Sequence, residues 1–228
     1  MLLYRCLVLG GLLLRVGTAA AQESTFQLNL LLKAAPQHVV VSGYWLEVEK
    51  RWNQQPRHSF IITPQLYAGP TGQPDVEAAS RRIARNESVR GAGLQVQHRW
   101  YICAAEAVYP AGLYISAGPV FQHFAVSRDE QGWTEVVDPT GLPRYEYRDI
   151  RRTETINRYG ATAQLGYQAP LPPGRVFLDL YAGVGWRMSQ SSHSPDPESG
   201  SRYQSGPSDY GHAGFYVPAG FKIGVALR

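Results

Sequence analysis

The sequence is poor in cysteine: Cys6 and Cys103 are its only two. Cys6 falls in the N-terminal apolar stretch, so one thiol remains and no intramolecular disulfide framework can organise the fold. Past that stretch, no segment offers about 18 uninterrupted apolar residues, so no transmembrane helix is expected. Mean hydropathy is −0.27, which would by itself describe a water-soluble chain. No glycine-rich phosphate loop stands in a strand–helix setting. The charge balance is nearly even, 22 Lys and Arg against 18 Asp and Glu. Part of the excess, Arg5 and Arg15, lies near the N-terminus. The balance gives no support for a nucleic-acid partner.

What the sequence has is glycine (23) and tyrosine (14) in quantity, and an N-terminus that reads as an export signal. Arg5 supplies a short positive region, Cys6–Leu14 an apolar core, and Ala19-Ala20-Ala21 a small-residue cleavage site before Gln22. Residues 1–21 are therefore expected to be a cleavable signal peptide, and 22–228 a single domain.

That domain is dominated by period-two alternation. In the closing segment Phe215–Arg228, the residues Phe215, Val217, Ala219, Phe221, Ile223, Val225 and Leu227 share one face. Tyr216, Pro218, Gly220, Lys222, Gly224 and Ala226 share the other. A soluble sheet turns its apolar face to a packed core. A strand with small, aromatic and charged residues opposite an apolar face suits a membrane barrel, apolar outward and polar inward.

The same pattern marks seven earlier strands: Phe26–Lys33, Val39–Trp52, Ser59–Gly69, Gly91–Ile102, Gly112–Val126, Thr153–Gln168 and Arg175–Gln190. Pro64 is expected to open a local gap in its ladder, and Gly118-Pro119 to kink the fifth strand. His98 interrupts an apolar row, and Lys50 lies on the outward side near a strand end. The first connection, Ala34–His38, is short, and from the second onward the connections alternate in length. The second, fourth and sixth are tight, Asn53–Arg57, Cys103–Pro110 and Ala169–Gly174. The third, fifth and seventh are long and polar: Pro70–Arg90 with a helix-like middle (Asp75–Ala84), Ser127–Arg152, and Ser191–Gly214. Short periplasmic turns and long extracellular loops produce this asymmetry in an even-stranded barrel. Aromatics fall at two levels, with Trp52, Phe60, Trp100 and Tyr167 near one set of strand ends. Tyr159, Trp186 and Phe215 lie near the other set.

With these residues in view, the chain resembles the small eight-stranded outer-membrane β-barrels of the OmpA/OmpX superfamily type. The segments that carry the resemblance are TAAAQ, FQLNLLLK, GLYISAGPVFQHF, RVFLDLYAGVGWRM and PAGFKIGVALR. It spans the whole of the expected mature chain. One departure is the ending, Leu227-Arg228, where such strands commonly close on an aromatic. The resemblance implies an all-β, antiparallel up-and-down transmembrane barrel in the outer membrane of a Gram-negative cell envelope. It also implies outer-membrane lipid and the barrel assembly machinery as partners. An extracellular ligand at the loops is the remaining expected partner, in a structural, adhesion or recognition role.

The chemistry legible in the sequence is sparse. Lys33, Glu47, Glu49, Arg51, Arg99, Asp179, Arg187 and Lys222 share the expected lumen face. Eight strands leave room only for side chains, so these charges are expected to pair and plug the interior rather than line a wide pore. A lipid-modifying barrel enzyme is an alternative, with His98, His123, His193 and His212 as candidates by type and His123 the best placed. None stands in a spacing that defines a nucleophile–base pair. His193, Asp196, Asp209 and His212 have no metal-ligand spacing. The sequence thus nominates no catalytic, cofactor or metal residue, and no enzymatic activity is expected. A secreted soluble barrel carrying a small ligand is the third reading, and it would need the two faces reversed.

Overall fold

The computed structural model describes residues 29–52, 55–71, 85–105, 109–172, 174–194, 203–204 and 206–227. The signal-like stretch, the start of the expected first strand, the helix-like 75–84 and Asp196 lie outside them.

Among the described residues nine strands form in chain order: β1 Leu30–Ala34, β2 Gly43–Trp52, β3 Gln55–Pro70, β4 Arg85–Ala105 and β5 Ala111–Val137. β6 Pro143–Leu171, β7 Val176–Ser194, β8 Gly214–Tyr216 and β9 Ala219–Leu227 follow. From β1 to β7 each pairs antiparallel with the next. β8 and β9 both run along β7, so they are one strand interrupted at Val217-Pro218. β9 then pairs with β1, from Leu30 opposite Leu227 to Ala34 opposite Ile223. The sheet therefore closes into a ring of eight antiparallel strands. Closure leaves the ring itself, among the described residues, with no open sheet edge.

The two faces follow the alternation. Leu46, Ile62, Leu66, Leu94, Leu165 and Val184 point out and are exposed. Lys33, Glu47, Glu49, Arg99, Asp179 and Lys222 point in and are buried. Exposed aromatics stand at two heights: Trp52, Phe60, Trp100 and Tyr167 towards the rim where β1 begins (the lower rim), and Tyr159, Trp186 and Phe215 towards the upper rim. Lys50 is exposed at the lower end of β2, opposite Leu30 and Phe60. Pro64 opens the expected gap, because the β2–β3 ladder skips from Trp45–Gln65 to Val48–Ile62. Gly118 and Pro119 open a similar gap on one side of β5, where the β4–β5 ladder skips from Gln95–Val120 to His98–Ala117, but along β6 they stay paired with Thr162 and Ala161.

Three segments depart from the alternation. The polar stretch Ser127–Arg152 is not a loop. β5 and β6 continue through it as a paired arm to Val137 and Pro143. With water on both sides, a strand needs no apolar face, so the signal used to find strands is missing there. Trp133 and Tyr147 pair across the arm with ring centroids 5.3 Å apart. At the tip, Asp138 Oδ1 accepts hydrogen bonds from the Thr140 hydroxyl, the Thr140 amide at 2.8 Å and the Leu142 amide at 3.0 Å, an Asx-type turn.

The second departure is at Pro36–Val41. This is a 3₁₀ turn, not the start of the second strand. Pro36 fixes φ at the first turn. Ser42 closes the turn with φ 54°, held by its hydroxyl on the Pro70 carbonyl at 2.6 Å. Val39 and Val40, assigned to a strand by pattern, are instead exposed on this turn.

The third is the closing strand. The register of β7 against β8 and β9 is unchanged across Val217-Pro218, so the interruption is local. Proline brings no N–H to the ladder. Tyr216 is packed over Gly185, where any Cβ would collide with its ring.

Candidate functional site

The interior is layered from the lower rim upward. Leu31, Tyr109, Ala111, Phe177 and Ala226 form an apolar cap. Above it lies a charge cluster, then a chamber, then an aromatic cap of Tyr67, Phe124, Tyr203 and Tyr210 with Val89, Val126 and Ile156. The inward row of β6 passes through three of these levels in order: Gln168 at the charges, Gln164 and Thr162 at the chamber floor, Arg158 at its top, Ile156 in the aromatic cap.

The charge cluster joins five strands. Lys33 on β1 lies 2.6 Å from Asp179, 2.7 Å from Glu49 and 3.1 Å from Glu47. Arg99 on β4 lies 2.8 Å from Glu49, 3.2 Å from Asp179 and 3.3 Å from Glu47. Lys222 on β9 pairs with Glu47. The remaining lone pairs are used too. Tyr101 and Ser59 donate to Glu49 at 2.8 and 2.6 Å, and Tyr114 donates to Asp179. The Arg99 guanidinium lies over the Tyr114 ring at 3.8 Å. Lys33, Arg99 and Lys222 thus face Glu47, Glu49 and Asp179, and the formal charges cancel. Burying these ions costs several kcal/mol each, roughly, and only such close pairing with added hydrogen bonds repays it. Two of the charges expected on the lumen face lie outside this cluster: Arg187, in the chamber above, and Arg51. Arg51 is only half-buried and donates to the Asn29 side chain at 3.1 Å.

The chamber above has a volume of about 260 Å³. Trp45 in its wall donates to the Tyr67 hydroxyl at 3.0 Å and stacks on His38, ring centroids 3.6 Å apart. Gln122 donates to Gln65 and to Tyr67 at 2.6 and 2.8 Å. The roof is the segment 206–211. It is fastened by Tyr210, whose hydroxyl donates to the Val41 carbonyl at 3.0 Å, and by Arg158 and Arg187, which donate to the carbonyls of Asp209 and Pro207.

Among these chamber residues the sequence reading placed Arg187 on the lumen face and passed over Arg158. Its parity, shared with Thr162 and Gln164, was the available signal. Pairing of both arginines to roof carbonyls could not be read from a polar loop sequence.

The histidines do not converge. His98 is exposed on the outer face of the lower half, with Nε2 3.0 Å from His58 Nδ1. His123 also points outward, with Nδ1 2.8 Å from the Asn157 side-chain oxygen. His193 lies 3.3 Å from the buried Glu154 on β6. His212 contacts the Phe215 carbonyl at 3.2 Å. Asp209 is buried within the roof, where its Oδ2 accepts from the Gly206 amide at 2.8 Å. Among the described residues, no three His, Cys, Asp or Glu side chains converge as a metal site. No helix among them is long and apolar enough to cross a membrane, which says nothing of crossing by strands. Comparison with protein-family models and with curated proteins finds no match to this chain.

Proposed function

We propose that this protein is an integral outer-membrane β-barrel with a plugged polar lumen, acting in the envelope as a structural or surface-recognition element. One observation carries the reading: the polarity of the ring is inverted. Leucine, isoleucine, valine, phenylalanine and tryptophan cover its outside, and paired ions fill its inside. A water-soluble barrel gains stability by burying its apolar side chains. This one exposes them, and a hydrocarbon surround removes that cost. The two heights of exposed aromatics fit the two interfaces of a bilayer. The resemblance to small OmpA/OmpX-type barrels supports the same assignment.

In this reading the lower rim faces the periplasm and the upper rim faces outward. Residues 1–21 direct export and are removed, and the assembly machinery inserts the barrel. The β5–β6 arm stands clear of the bilayer and offers Trp133, Tyr145 and Tyr147, all exposed, to an extracellular ligand. Neutral ion pairing leaves no wide pore, and no catalytic role is assigned.

The test is fractionation of cells expressing the full chain, with membranes washed in carbonate and high salt and then extracted with detergent. The extract is run on a gel boiled and unboiled. Retention through the washes and a band that shifts on boiling are the expected results. A protein released by carbonate or salt, with no shift, overturns the proposal.

A further inference from the structure

Two buried cations in the chamber lack what every cation in the layer below possesses. Arg158 and Arg187 are each 7% exposed. They project inward from neighbouring strands at diagonal positions, Arg158 opposite Ser189 and Arg187 opposite Gly160. Like charges so placed repel. Among the described residues neither has a carboxylate within ion-pair distance. Their acceptors are neutral: Gln122 Oε1 at 2.8 Å and the Asp209 carbonyl at 2.9 Å for Arg158, and the Pro207 carbonyl for Arg187. Arg187 Nε has no partner at all, and neither has His38 Nε2 in the same chamber wall. The nearby buried Asp209 carboxylate accepts from the Gly206 amide through Oδ2 and leaves Oδ1 without a hydrogen-bond partner, so it adds one negative charge near the two arginines but no ion-pair contact with either.

A guanidinium does not shed its proton in a protein, so both charges persist. The lower layer shows the alternative: there the chain supplies as many carboxylates as cations. In the chamber it supplies space. Both guanidinium groups line a cavity of about 260 Å³, and the N–H groups that Gln122 and the roof carbonyls leave over are suited to contact with an oxyanion. A phosphate group, with about one to two negative charges, suits two arginines that have only the Asp209 carboxylate nearby.

The chamber also has a side. Val41 on the 3₁₀ turn and Val217 and Pro218 at the strand interruption line it together. β1 ends below this level at Ala34, and just outside the wall Val40 and Val217 are strongly exposed. A phosphate group has two possible sources, a solute entering past the roof and a lipid headgroup entering through the wall.

We infer that the chamber is a phosphate-binding site in which Arg158 and Arg187 hold the anion. The inference does not rest on the membrane assignment, since the chamber and its unbalanced charge are properties of the ring itself.

The experiment uses the full chain, purified in a non-ionic detergent. Inorganic phosphate is titrated against chloride at matched ionic strength, with binding read by calorimetry. In a second arm the protein is reconstituted into phosphatidylcholine vesicles with and without phosphatidic acid. Lipid that stays bound through detergent extraction is then counted. Arg158→Gln and Arg187→Gln are each expected to weaken binding about tenfold or more. Arg187→Lys, which keeps the charge and loses the fork, is expected to weaken it less, and Arg144→Gln at the exposed arm tip not at all. Circular dichroism verifies the strand content of each variant. Saturable phosphate binding lost in the Gln variants supports a solute site. Selective retention of phosphatidic acid, lost in the same variants, supports a headgroup site. Absence of both in the unmodified protein overturns the inference whatever the variants do. So does binding that is unchanged in folded Gln variants.

Discussion

Lys33 and Asp179 are 146 residues apart in the chain, and the Lys33 ammonium donates to the Asp179 carboxylate at 2.6 Å. The bond ties β1, at the seam of the ring, to β7, two strands away beyond β9. Lys222 on β9 pairs with Glu47 on β2, and so bridges the same seam. Among the described residues β1 contributes five to this seam. Ion pairs across it add to the backbone ladder.

Removing Lys33 leaves three carboxylates facing two cations. Lys33→Met is expected to destabilise the fold by about 3–5 kcal/mol, the cost of orphaning a buried charge. The check is urea unfolding in detergent, followed by tryptophan fluorescence. Asp179→Asn added to Lys33→Met restores the balance of formal charge and is expected to recover part of the loss. If the double variant is no more stable than Lys33→Met alone, the charges are not coupled as their distances imply.

The outer face can be tested at one point. Val184 is exposed, and its partner Ala163 lies midway on β6 between the exposed Tyr159 and Tyr167. In a bilayer this is the midplane, and Val184→Arg is expected to cost about 2–4 kcal/mol. In water the same change at an exposed site would cost almost nothing. Refolding into vesicles, compared between Val184→Arg and the unmodified protein, separates the two cases.

Much of this arrangement was legible in the sequence because it rests on parity. Lys33, Glu47, Glu49, Arg99, Asp179 and Lys222 all occupy the face that alternation assigns them. Parity fixes a face, but it does not fix where a strand stops. It failed at the β5–β6 arm, where water bathes both sides and charged residues such as Arg144, Glu146 and Asp149 carry no facial signal. It also failed at Val39–Val41, where Pro36 and the left-handed Ser42 convert a β-branched run into a 3₁₀ turn. The chamber was hidden for a third reason. Its roof comes from a segment with no periodicity, and only the fold brings Tyr210 to Val41 and Asp209 to Arg158.

The tip of the arm carries a pH response. Hydrogen bonds from the Thr140 hydroxyl and the Leu142 amide hold the Asp138 carboxyl below its ordinary value. A folded-state pKa below the unfolded one means that the turn is stabilised above the ordinary carboxylate pKa. That stabilisation is lost as pH falls through the depressed value. Amide exchange at Thr140 and Leu142 is expected to speed up, relative to its intrinsic rate, on acidification through that range. Asp138→Ala is expected to remove the response. An acid response that persists in Asp138→Ala would assign it to another group.

The roof is expected to open without the ring. Tyr210 packs edge-on or tilted against Tyr67, Phe124 and Tyr203 and donates to the Val41 carbonyl. Tyr210→Phe keeps the rings and gives up the hydrogen bond, a loss of about 1 kcal/mol. Tyr210→Ala gives up both, about 3–5 kcal/mol by analogy with large aromatic truncations. The ladders of β1 to β9 do not pass through residues 206–213, so this loss falls on a local opening of the roof rather than on global unfolding. Limited proteolysis of the intact protein in detergent is expected to cut Tyr210→Ala within this segment, Tyr210→Phe slowly, and the unmodified protein least. The urea midpoint of all three is expected to move little. A midpoint that falls in step with the cleavage rate would mean that the roof and the ring unfold as one unit. The chamber would then be closed by the fold as a whole and not by a detachable segment.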